Sequence, residues 1–167
     1  MTLAKPSGTV ALLAIAAVSL GAVGAALVTQ HLFDMQPCPW CVLQRLEFVT
    51  IGAVALLGMA WPSATGLRTT LAGVLALAAA GMATALWHHF VATSSTSCNL
   101  SLADRIMSAS GLPDLLPGVF EARVSCADAA VKLFGVPYQL WSLSIFTLLA
   151  AFAVWQLLGK RVSAGSR

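Results

Sequence analysis

The chain alternates long uncharged apolar runs with short polar segments. Four of the runs approach the roughly 20 residues that a helix needs to cross the hydrocarbon core of a bilayer. The first extends from about Thr9 to Thr29, with small residues at Ala17, Gly21 and Ala25, a four-residue spacing that suits close helix contact. It is longer than the roughly 7–15 residues of a secretory signal core, so it reads as a retained span. The second is uncharged only from Phe48 to about Trp61 and must recruit residues from Val42 onward, which places Arg45 and Glu47 in its first turns. The third begins near Thr69, after a turn at Pro62 and Ser63, and ends at the pair His88-His89. The fourth runs from about Pro137 to Leu158, within an uncharged stretch from Leu133 to Gly159. The expected fold is an all-α membrane protein, a single four-transmembrane-helix bundle over residues 1–167. Its spans fall at about 9–29, 43–61, 69–88 and 137–158, and its loops at about 30–42 and 89–136.

Composition strengthens this reading. The 167 residues are 59% hydrophobic and 9% charged, with a mean hydropathy of +0.87, whereas a soluble domain carries about 25% charged residues. Disorder needs the opposite balance. Nucleic-acid binding is excluded as an expectation because the net charge of +3 comes without a basic cluster. The charges also orient the chain. Lys5, Arg68, Lys160, Arg161 and Arg167 fall on one side with no acidic residue among them. Asp34, Asp104, Asp114, Glu121 and Asp128 fall on the other, with Arg105, Arg123 and Lys132. Cytoplasmic loops carry the excess of Lys and Arg, so both termini are expected in the cytoplasm and both long loops outside it.

All four cysteines lie in those two loops: Cys38 and Cys41 at the end of the first, Cys98 and Cys126 in the second. Cysteines confined to the non-reducing face of a membrane read as disulfides or redox-active thiols. Three pairings are possible, and the adjacent one needs the least rearrangement. A bridge across Cys38-Pro39-Trp40-Cys41 closes too small a loop to restrain the unfolded chain much, so exchange chemistry is its better use. Proline favours the first helical position, which would make Cys38 the cap and put Cys41 in the first turn, where the positive end of the helix dipole favours a thiolate. Arg45 follows four residues later on the same face and favours that anion too. It can also stabilise the negative charge of a reduced organic acceptor. Two alternatives are a structural bridge and a zinc site completed by Cys98 and Cys126 or by a histidine. The wide spacing of the second pair disfavours zinc, and no metal is expected. No βαβ pattern surrounds the motif, which excludes a thioredoxin-like domain.

Between Cys98 and Cys126, Leu102 and Ile106 share one helical face, and Leu112, Leu115, Leu116, Val119 and Phe120 form an apolar patch around Pro113 and Pro117. A segment lying in the interfacial plane would bury that patch against headgroups. Haem ligation by His88 or His89 is disfavoured because the sole opposite partner, His31, lies in a loop. Trp40, Trp61, Trp87 and Trp141 read as interfacial belt residues.

These features together resemble the disulfide bond formation protein B (DsbB) family: four spans, Cys-x-x-Cys opening the second, Arg45 four residues after Cys41, and two spaced cysteines in the second outside loop. The segment Val136-Pro137-Tyr138-Gln139-Leu140-Trp141 is similar to the family's proline and tryptophan at the fourth span. The resemblance implies a multi-pass protein of the bacterial inner membrane with its active cysteines on the periplasmic face. Such a protein reoxidises a periplasmic thiol oxidase of the DsbA type and passes the electrons to the membrane quinone pool, ubiquinone or menaquinone. By matching position, Cys98 takes the mixed disulfide with the soluble partner and Cys126 resolves it through exchange with Cys38. Cys41 is then the thiolate that meets the quinone and Arg45 holds the quinone, with His89 aligned to the family's nearby histidine and His88 beside it. Gln44 departs from the glutamate of a well-known member, and the loop between Cys98 and Cys126 is slightly longer. The vitamin K epoxide reductase family is similar in spans and quinone chemistry, but there the Cys-x-x-Cys follows the loop cysteines, the reverse of the order here. A non-catalytic four-span scaffold with structural loop bridges is the alternative from another class.

Overall fold

A computed structural model describes residues 7–92 and 101–158. Its helices are α1 (Gly8–Leu32), α2 (Pro39–Met59), α3 (Ala64–Phe90), α4 (Leu102–Ser110), α5 (Leu112–Leu115), α6 (Pro117–Phe120) and α7 (Tyr138–Leu158), with strands β1 (Lys132–Leu133) and β2 (Val136–Pro137) before α7. Four of them, α1, α2, α3 and α7, are long and apolar enough to cross a membrane, as the sequence predicts. Helices α1, α2 and α3 run longer than the apolar runs alone suggest. Helix α2 starts at Pro39 rather than near Leu43, because Pro39 occupies its first turn and Cys38 caps it. Helix α3 starts at Ala64 because the Ser63 hydroxyl accepts from the Gly66 N–H at 2.9 Å.

Each long helix packs on its chain neighbour. α1 lies on α2, α2 on α3, and α3 most extensively on α7, while α1 and α7 close the ring with the slightest of these contacts. The central core joins Leu12 and Ile15 of α1, Phe48 and Ile51 of α2, Leu71 and Val74 of α3, and Phe146 and Leu149 of α7. The Phe48 and Phe146 rings stack with centroids 4.0 Å apart. Gly81 makes room for this stack, since a Cβ there would run into the Phe146 ring. The small residues Ala17, Gly21 and Ala25 do not mediate helix contact as expected. All three are exposed, and the buried stripe of α1 runs instead through Leu12, Ile15, Ser19 and Val23.

The long connection between α3 and α7 is also organised differently from the expectation. α4 turns Ala103 and Met107 inward and leaves Leu102 and Ile106 exposed. The apolar patch is divided. Phe120 is buried against the start of α2, with Val119 and Leu112 packed beside it, whereas Leu115 and Leu116 face outward. The reason is that the α2 N-terminus itself needs an apolar cover. Trp40 follows the same logic: it is 6% exposed within this second cluster, whereas Trp61, Trp87 and Trp141 are outward-facing, as belt residues would be. The uncharged stretch before α7 is interrupted by a hairpin pairing Lys132 with Pro137 and Leu133 with Val136. Its two-residue turn, Phe134-Gly135, has φ of 52° and 81°, the doubly left-handed geometry that hairpins favour.

Candidate functional site

The site forms where α2 begins. The Cys38 sulfur caps the helix, accepting from the Cys41 N–H at 3.4 Å. The two sulfurs lie 2.9 Å apart. Cys38 is fully buried, while Cys41 is partly exposed. Burial pushes the Cys38 thiol well above its ordinary value, and the neighbouring Cys126 and Cys41 thiols push it the same way. Cys126 is partly exposed. Hydrogen bonding to Cys38, helped by the Trp40 backbone N–H, holds its thiol below the ordinary value against the opposing effect of burial. The Cys126 sulfur is therefore the one of this pair whose anion is favoured, and it is hydrogen-bonded to Cys38. Cys98, the fourth cysteine singled out, lies outside the described residues.

Arg45 is 6% exposed and donates from Nη1 to Gln30 Oε1 at 2.7 Å and to the Val119 carbonyl at 2.9 Å. A buried guanidinium costs several kcal/mol unless its donors are satisfied, and here a glutamine of α1 and a backbone carbonyl of α6 supply acceptors. The loop is held over α2 at neighbouring points as well, with the Arg123 N–H donating to the Pro37 carbonyl at 2.9 Å. Glu47, also in α2, accepts from the Thr84 hydroxyl of α3 at 2.8 Å.

A cavity of about 180 Å³ opens beside α2, between α1 and α7. Cys41, Arg45 and His88 line it, with apolar walls that include Ala22, Phe48 and Ile145. Tyr138 and Thr29 bridge its two helices at 3.0 Å. An apolar cavity of about 150 Å³ accepts a benzene ring, so this one has room for a single six-membered ring.

The two histidines separate. His88 is 2% exposed, with Nε2 3.4 Å from the Cys38 sulfur and Nδ1 3.4 Å from Gln44 Nε2. His89 does not line the cavity, and its Nδ1 meets Nε2 of Gln139, which does, at 3.0 Å. His31, expected in a loop, lies instead in the last turn of α1, where it is exposed and engages the Leu27 carbonyl of that helix at 2.8 Å. The structure thus joins Cys38, Cys41, Cys126, Arg45 and His88 and sets His89 one layer behind. Sequence reasoning missed Gln30 and the Val119 carbonyl. The one signal for Gln30 is a glutamine inside the cysteine-bearing end of an apolar run, where a polar side chain needs a partner; a carbonyl partner leaves no trace in side-chain identity.

Comparison with known proteins gives the same picture. The family model described as disulfide bond formation protein DsbB matches residues 8–156. A disulfide bond formation protein B of Aromatoleum aromaticum is 34% identical over 149 residues, covering 87% of this chain and 89% of that protein. Its counterpart in Ralstonia nicotianae is 37% identical over 139 residues, with 83% and 86% covered. That of Burkholderia pseudomallei is 32% identical over 151 residues, with 90% and 89% covered. With a helix-capping cysteine pair, a third cysteine against it and four candidate membrane helices, this chain belongs to the disulfide bond formation protein DsbB family.

Proposed function

We propose that this protein is an inner-membrane disulfide:quinone oxidoreductase that reoxidises a periplasmic DsbA-like thiol oxidase. One observation supports the reading: Cys41 and Arg45 line one cavity beside the α2 start, while Cys126 meets Cys38 from the loop before α7. Electrons entering from a soluble donor and leaving to a lipid-soluble acceptor need these two faces on one cysteine pair.

In the starting state Cys98 is bridged to Cys126 and Cys38 to Cys41. A donor thiolate attacks Cys98, breaking the Cys98–Cys126 bond and leaving the electron pair on Cys126. The donor's second thiol then displaces Cys98 and closes the donor disulfide. The Cys126 thiolate, stabilised by the Trp40 N–H, attacks Cys38 and breaks the Cys38–Cys41 bond, so that Cys41 leaves as a thiolate facing Arg45. Attack by Cys98 on Cys126 restores the loop bridge and frees Cys38. Reforming the Cys38–Cys41 bond sends two electrons and two protons out of the dithiol. A quinone bound in the cavity supplies the two-electron, two-proton acceptor. The residues fit such a group: Phe48 and Ile145 offer apolar faces, and Arg45 offers a cation where negative charge develops on reduction. An ordinary protein disulfide cannot reoxidise a strong thiol oxidant without such a sink, because each 30 mV of adverse potential costs about 1.4 kcal/mol for two electrons.

The test is stopped-flow quinone reduction by the purified protein with a reduced periplasmic thiol oxidase as donor. The wild type turns over, and Cys41→Ser and Cys98→Ser do not. Absence of quinone reduction in the wild type, with loop bridges that resist mild dithiols, would leave the non-catalytic scaffold standing instead.

A further inference from the structure

The cysteine pair has a third ligand-bearing neighbour. The ligand atoms of Cys38, Cys41 and His88 all lie within 4.8 Å of one another, and the Cys38 and His88 residues are 0% and 2% exposed. A tetrahedral zinc ion, with bonds of about 2.3 Å to sulfur and 2.0–2.1 Å to nitrogen, needs ligand–ligand edges of roughly 3.5–3.8 Å. The 3.4 Å from Cys38 sulfur to His88 Nε2 falls short of this by only about 0.1 Å, and the 2.9 Å sulfur pair needs to open by under about 1 Å.

The surroundings offer a fourth donor, outside the 4.8 Å group that the other three form. The Cys126 sulfur is within hydrogen-bond reach of Cys38 and is held by the Trp40 N–H, which places a fourth donor at the edge of the cluster. Gln44 meets the far nitrogen of His88 at 3.4 Å. A ligating histidine carries a hydrogen on that nitrogen and needs an acceptor for it, which the Gln44 side-chain oxygen provides once the terminal amide turns over. Three thiolates around a divalent ion leave one net negative charge, and Arg45 interacts electrostatically with both Cys41 and Cys38. Soft thiolate ligands select thiophilic ions.

We propose that the reduced protein binds one thiophilic divalent d10 cation, zinc in the first place, through Cys38, Cys41, His88 and Cys126. The oxidised protein offers no thiolates there and does not bind. Redox state therefore gates the site, and an ion seated in it keeps the dithiol reduced and out of use. The cluster does not depend on the quinone reading.

The full chain in detergent, reduced without oxygen and without quinone, is titrated with Cd2+ and followed by sulfur-to-cadmium charge-transfer absorption. One ion per chain binds the reduced form and none the oxidised form. His88→Gln weakens binding by at least about tenfold, and Cys126→Ser removes roughly one third of the absorption, one thiolate in three. Equal binding by oxidised and reduced protein, wild-type affinity in His88→Gln, or an undiminished band in Cys126→Ser would each overturn the proposal. Should the variants not fold, the 113Cd resonance of the wild type decides, a three-thiolate position supporting the site and a two-thiolate position overturning it. No quinone is present, so failure here leaves the quinone reaction untouched, and failure of quinone turnover leaves this site untouched.

Discussion

The arrangement of single residues at the α2 start divides labour between two thiols that touch. Cys38 is deep and held in its protonated form by burial, whereas Cys126 has a hydrogen-bonded sulfur whose anion is favoured. An ordinary thiol titrates near about pH 8.5. A lowered value means that Cys126 keeps its reactive anion as pH falls below that range, and a raised value means that Cys38 gains its anion only above it. In fully reduced protein, alkylation followed by mass spectrometry from about pH 6 to pH 9 should modify Cys126 ahead of Cys38 throughout. The reverse order would refute the assignment of nucleophile. Arg45 acts on the other face. Its charge-assisted contacts are worth about 1.5–3 kcal/mol each, so Arg45→Ala is expected to raise the quinone KM by about tenfold or more. Unchanged quinone kinetics in that variant would remove Arg45 from the site.

Among the elements, α7 reaches α2 through a ring stack. Its Phe146 is fully buried and stacks on Phe48 of α2, and Gly81 of α3 leaves the space for that ring. Gly81→Val forces the ring out of register with Phe48. Overpacking of this kind costs typically about 1–3 kcal/mol, which should appear as a lower thermal midpoint in detergent, and a Phe146→Leu second change should recover part of it. A midpoint unaffected by Gly81→Val would mean that the stack is not a stability element. The α4–α6 segment belongs to this scale as well. The sequence presents it as an amphipathic interfacial stretch, yet Phe120 and Met107 are spent on covering the start of α2. An apolar stripe states that a face will be buried, not against what.

For the molecule as a whole, orientation is the property that the charges address. With Lys5, Lys160, Arg161 and Arg167 near the termini, a C-terminal fluorescent-protein fusion is expected to be bright in bacterial cells and an alkaline-phosphatase fusion at the same point inactive. The opposite pair of results would turn the cysteine end toward the cytoplasm and end the oxidase reading. The slight contact between α1 and α7 is the other whole-molecule feature, because the cavity lies along that seam.

By itself the sequence determined the number and approximate place of the candidate spans, the cap made by Cys38 and Pro39, and the placement of Cys41 and Arg45 on one face of α2. These depend on run length and on offsets within one helix, which are local and periodic. Only the tertiary structure decided that His88 rather than His89 faces Cys38, that Gln30 and the Val119 carbonyl satisfy Arg45, and that Cys126 meets Cys38. Each of those pairs residues far apart in the chain. The rotation of α3 chooses between adjacent histidines about 100° apart on its surface, and that rotation is set by the packing of α3 on α7 and α2, to which the ends of an apolar run are blind.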